Sequence, residues 1–222
     1  MACATAPNVI YNPAYPESFN FKSSKVALTD YSDLLVITSL TRLRYDLGVS
    51  DPEVPQLIKS LSQESLNGDS SPFKKSGIPI ISAIDSTTPV ETIKLREKTF
   101  IKVKLPAQGT SLISNNIKPE IIFIVHEASI GINLNATRLY VHSEGSNKNI
   151  NEASATNLQS SLNIVLTYTI WDNLKQQFLQ HGIIQTETPF QETVTPNTIK
   201  GAFNSANFKI SQLVSDGNKR VK

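Results

Sequence analysis

The chain has 222 residues, 39% of them hydrophobic, with 21 Lys and Arg against 19 Asp and Glu for a formal net charge of +2. That length holds one large domain or two small ones and can bury a sizeable core, while a charge so near neutral argues against a nucleic-acid-binding domain. One cysteine, Cys3, rules out an internal disulfide framework, so the chain does not need an oxidising compartment.

Met1 to Pro7 has neither a basic stretch nor an apolar run and does not read as a secretory signal. The apolar run Ile121–Val125 is far too short to cross a bilayer. Residues 1–24 carry Pro7, Pro13 and Pro16, with Tyr11, Tyr15, Phe19 and Phe21 set among small and polar residues. Proline at this density disfavours a helix or a central strand, yet a disordered tail is usually poor in aromatics. The segment is expected to be an extended arm that docks on its own body or on a neighbour.

Within residues 29–47 the β-branched density at Val36, Ile37 and Thr38 predicts a strand near Leu34–Leu40, and either state fits beyond it, with Gly48 able to close a helix. Residues 52–67 predict a helix: Pro52 and Pro55 suit its first turn, Asp51 can cap it, and Leu57, Ile58, Leu61 and Leu66 supply an apolar side. Pro79 marks Ile78–Ile84 as an edge strand or loop. Thr99–Leu105 alternates, with Ile101, Val103 and Leu105 opposite Phe100, Lys102 and Lys104. Glu120–His126 is nearly all apolar, which predicts burial on both faces. Ile130, Ile132 and Leu134 alternate with Gly131 and Asn133, and Arg138–His142 predicts a further short strand.

The clearest signal runs from Ser161 to Gly182. Leu162, Ile164, Leu166, Tyr168 and Ile170 fall on one face of a strand. Trp171, Leu174 and Phe178 then recur at helical spacing, with Asp172 as cap, His181 as a helix-end residue and Gly182 as the stop, so a short helix is expected over 172–181. Residues 191–222 resemble residues 1–24 in style, with Phe203 and Phe208 in a polar background. The expected fold is mainly β: an antiparallel sandwich or barrel-like body over residues 25–190, helices at about 52–67 and 172–181, an arm at 1–24 and an arm or tail at 191–222.

Catalytic patterns are missing. His126-Glu127 lacks the second histidine of a zinc-protease helix. His126, His142 and Glu144 could hold a metal only if neighbouring strands brought them together, and nothing in their spacing is specific for that. There is no nucleophile elbow and no glycine-rich phosphate cradle. The expected function is therefore non-enzymatic: a structural subunit of a large assembly, a virus or bacteriophage virion component built in the host cytoplasm. Its partners would be copies of itself and other structural proteins, with no cofactor, metal, small-molecule substrate, membrane or nucleic acid. Tyr11, Tyr15, Phe19, Phe21, Phe203 and Phe208 are the expected arm contacts. The alternatives are a β-sandwich binding module for carbohydrate or a protein partner, and a hydrolase assembled from scattered residues.

Overall fold

The computed structural model describes residues 9–14, 25–84, 88–96, 99–107, 112, 118–138 and 156–215. The predicted arm residues Tyr15, Phe19 and Phe21, and the predicted ligands His142 and Glu144, lie outside them. The chain is mainly β, and its layers follow from how its strands alternate.

Three long strands form the centre: β7 (Ile121–Arg138), β8 (Thr156–Asp172) and β9 (Gln177–Phe190). They run antiparallel, β8 between the other two. β1 (Val9–Tyr11) extends the sheet past β9, with Tyr11 opposite Gln180, so this part of the predicted arm docks on its own chain. On the other side, β2 (Val26–Thr29) and β3 (Leu35–Ile37) pair in parallel with successive halves of β7, and β4 (Ile80–Ile81) edges the sheet beyond β2. β4 sits where Pro79 required an edge, and Pro79 gives its carbonyl to the Leu28 N–H at 3.0 Å.

Period-2 alternation sorts this sheet into two faces. Leu162, Ile164, Leu166, Tyr168 and Ile170 are all buried together, as the sequence predicted, with Phe123 and Val125 of β7 on the same side. This face meets the helices α1 (Leu40–Leu47), α2 (Glu53–Asn67), α3 (Pro72–Ser76) and α4 (Pro196–Ser215). The opposite face carries Ile122, Ile124 and Trp171 in a second cluster. Part of it lies near β5 (Val90–Arg96) and β6 (Thr99–Lys104), an antiparallel two-stranded sheet whose Leu95, Ile101 and Val103 form a third cluster with Ile10 and Ile183. Ile121–Val125 is buried on both faces, as its unbroken apolar run predicted.

The structure corrects three expectations. No helix spans 172–181. Asp172 does cap, accepting from Leu174 N–H at 3.0 Å and Lys175 N–H at 2.8 Å, but the turn closes after four residues, at Gln176 with φ of 56°. Buried Asn173 holds it in place by hydrogen bonds to the carbonyls of Leu112 and Pro119. Polypeptide from Gln177 onward then pairs with β8, because a ladder against a buried strand satisfies more backbone than one isolated helical turn. Gly182 is accordingly mid-strand. A Cβ there would lie 2.6 Å from the ring of Tyr168, which stacks on Phe123, so glycine is required by close approach and not by a left-handed turn.

The cap of α2 is the second correction. Asp51 pairs with Arg44 instead, Pro52 stands at the cap position with no side-chain cap bond, and Glu53 of the first turn accepts from the Ser50 N–H and hydroxyl at 2.7 and 2.6 Å. Third, the expected tail at 191–222 contains a 20-residue helix over residues 196–215. Thr195 accepts from Thr198 N–H at 3.2 Å and Pro196 occupies the first helical position. Ile199, Ala202, Phe203, Ala206, Ile210 and Val214 form its buried stripe. A polar relay ties α4 to the body: Tyr31 donates to Asn207 at 2.6 Å, Asn207 donates to Ser65 at 2.8 Å, and Ser65 donates to Asn204 at 2.7 Å.

The mainly β character is as expected: the long central strands are antiparallel, the sheet as a whole is mixed with helices packed on one face, and no closed barrel forms among the described residues. The β2–β4 pair is parallel because α1, α2 and α3 return the chain to the same end of the sheet before β4, and the β4–β6 stretch intervenes before β7 pairs in parallel with β2 and β3. Among the described residues no helix is long and apolar enough to cross a membrane.

Candidate functional site

Three places bring chemistry-bearing groups or open surface together. The first spans the centre of the sheet. His126, Thr169 and His181 come from β7, β8 and β9 and meet side by side. His126 Nε2 lies 2.6 Å from Thr169 Oγ1, which lies 2.7 Å from His181 Nδ1. The backbone N–H of Lys104 donates to His126 Nδ1 at 3.2 Å. Because that nitrogen accepts, the neutral ring carries its proton on Nε2 and donates to Thr169. The single Thr169 proton is then free to go only to His181. The chain of donors runs one way, from β6 through β7 and β8 to β9.

Burial pushes the His126 imidazole down to about 3, with the neighbouring His181 adding to the effect, and burial alone pushes His181 down to about 4. Both are neutral at physiological pH. Phe178 stacks on His181 at 4.3 Å between ring centroids. A hydroxyl between two imidazoles has the makings of a base-activated nucleophile. Thr169 is 0% and His181 1% exposed, however, so no substrate reaches the hydroxyl in this conformation. The cluster acts as a latch between β6 and the central strands. Sequence reasoning missed it because it read His181 as a helix-end residue and paired His126 with His142. Strand register is what aligns the three: Thr169 stands opposite Ile124 on one side and His181 on the other, and the β7 irregularity between Val125 and Glu127 turns His126 toward it.

The second place is an open groove of about 800 Å³ between α3 and α4, lined among others by Ser70, Lys75, Asn204, Phe208 and Gln212. Phe208 is 57% exposed there. Its backbone position explains this: it falls between the buried residues Ala206 and Ile210, off the core stripe of α4.

The third is the far end of β7 and β8. β9 leaves the ladder at Phe190 opposite Ser160, and β7 and β8 continue past it through four further residue pairs, Asn135–Arg138 with Thr156–Gln159. These eight residues make a two-stranded ribbon with nothing described on either edge.

Three of the six expected arm contacts are among the described residues: Tyr11 lies in a strand of its own sheet, Phe203 is fully buried in its own core, and Phe208 is openly displayed. The reason is local: Phe203 continues the 3.6-residue stripe of α4, which turns it inward. These three fall at different places in the fold. Among the described residues no three His, Cys, Asp or Glu side chains gather to hold a metal.

No protein-family profile matches the chain, and no curated protein does. A solved structure similar to it is a neuraminyllactose-binding hemagglutinin homolog from Helicobacter pylori. The two share 11% identity over 93% of this chain and 90% of the other, with a TM-score of 0.37. A likeness that low carries no argument about either fold or function.

Proposed function

We propose that the chain is a non-enzymatic structural subunit that works through contacts with copies of itself and with other proteins of a larger assembly. The observation that supports this reading is the β7–β8 ribbon, which runs on past the end of β9 with no described strand on either edge and so offers backbone to a partner. The sealed His126–Thr169–His181 latch agrees with it, since the best-equipped side chains of the body are spent on holding strands together. A virion is the assembly expected from the style of the sequence; that part of the proposal rests on sequence alone. Light scattering of the full chain, across a concentration series, is expected to give masses above the 24.4 kDa protomer. A strict monomer that also captures no partner on cross-linking in its native setting would sink the reading.

The groove at Phe208 favours a second reading, a binding module for carbohydrate. It sets an exposed aromatic face beside amides, hydroxyls and the Lys75 ammonium, and none of the residues lining it is acidic. On a glycan array the wild type would then retain a defined set of sugars, and Phe208→Ala would lose them. Binding that survives Phe208→Ala would move the sugar site elsewhere.

A further inference from the structure

The ribbon carries more information than its exposure. β7 directs the N–H groups of its even-numbered residues away from β8: Ala128 N–H bonds to Leu34 O at 3.2 Å, and Ile132 N–H to Ser39 Oγ at 3.0 Å. The register to β8 runs without a break from Glu127 to Arg138. By alternation the N–H groups of Leu134, Ala136 and Arg138 therefore point off the same edge, where no described residue accepts them. Thr156–Gln159 of β8 form the matching free edge on the opposite side, past the end of β9.

The other sheet edges are protected in the usual ways. β4 has only two residues and follows Pro79. β1 has three and is followed closely by Pro13. The β5–β6 sheet carries Glu91, Lys94, Lys102 and Lys104 along its length. The ribbon has one such device, Arg138 at its tip, and none short of it. From Ala128 to Thr137, and from Thr156 to Trp171, there is no charged residue and no proline. A two-stranded ribbon standing alone is marginal in water, so the segment left unprotected is the one that gains most from an added strand.

The geometry points to a second copy of this chain as the occupant, with the β7 edge of one ribbon pairing antiparallel to the β8 edge of the next. This inference rests on the assembly reading above. Each ribbon presents one free β7 edge and one free β8 edge, on opposite sides and of closely similar length, so each copy supplies the strand its neighbour lacks. Such head-to-tail contacts close into a ring or run on as a filament, according to the rotation between copies.

Two single-cysteine proteins test it, both in the full chain with Cys3→Ser: Ala136→Cys and Leu158→Cys. A short bismaleimide should cross-link the mixed pool to dimer at several-fold higher yield than either protein alone. Ala136→Pro removes an outward N–H while leaving the ladder to β8 intact, and should return the assembly to protomer mass with unchanged circular dichroism. Ala136→Lys, which adds a second charge to the middle of the β7 edge, should do the same if the proline variant fails to fold. Efficient dimers from Ala136→Cys alone would mean that like edges pair, and would overturn the head-to-tail arrangement. Multimers that persist in both edge variants would overturn the ribbon contact while leaving the assembly reading standing. A monomeric wild type that instead captures a foreign protein would overturn self-pairing.

Discussion

Phe203→Ala lowers the free energy of unfolding by about 3–5 kcal/mol, the usual cost of deleting a fully buried aromatic and leaving a cavity. Phe203 is 0% exposed and sits in the main cluster with Ile199, Ala202, Ala206 and Ile210 of its own helix. The site has little room to collapse, because the relay from Tyr31 through Asn207 and Ser65 to Asn204 fixes α4 against α2 on the same stretch. Urea denaturation measures the effect as a fall in midpoint with an unchanged slope. Phe208→Ala, five residues on and 57% exposed, is the control and should stay within about 0.5 kcal/mol of wild type. Should Phe203→Ala leave the midpoint in place and alter only self-association, the residue would be an arm contact after all and the packing of α4 described above would be wrong.

Acid should destabilise the protein earlier than its carboxylates alone require. An unfolded histidine titrates near 6.5, while burial holds folded His126 and His181 at about 3 and about 4. At pH 6.5 the unfolded chain therefore already holds about one proton more than the folded chain on these two groups, and near pH 5 it holds about two more. The contribution of the latch is intact above pH 6.5 and is lost as pH falls toward the folded values. Near pH 5 the slope approaches two protons, about 2.7 kcal/mol per pH unit. His181→Gln removes one of the two groups and should halve the slope over that window, measured by urea midpoints at several pH values. An unchanged slope would show that His181 titrates normally. Nitrogen NMR of the wild type should find the Nε2–H tautomer on His126, as required by the Lys104 N–H donor.

Physical reasons separate what was legible in the sequence from what was not. The buried face of β8 could be read residue by residue, because alternation is a local property of the strand and needs no knowledge of its partner. The double-sided burial of Ile121–Val125 and the edge position near Pro79 were legible for the same reason: run length and a missing N–H act wherever the segment goes. The helix over Glu53–Asn67 announced itself by composition, although Asp51 does not cap it and Glu53 holds Ser50 beside its first turn. α4 was also within reach, since Thr195, Pro196 and the stripe from Ile199 to Val214 are ordinary start and face signals, but two small alanines and a polar background hid it.

Trp171, Leu174 and Phe178 show where local reading fails. Their spacing fits a helical turn, and Asp172 caps one, yet the backbone after Gln176 had a better partner in β8. Only the tertiary structure could decide that, because the ladder that wins is made with residues already folded alongside. The same holds for His126, Thr169 and His181, which are separated by 43 and 12 residues and meet only through register. The sequence by itself determined the faces of the strands and the mainly β character, which depend on side-chain period alone. Tertiary structure decided the pairing order, the covering helices, the latch and the unprotected ribbon. Each of these is set by which backbone groups find partners across the fold, and that choice is not local.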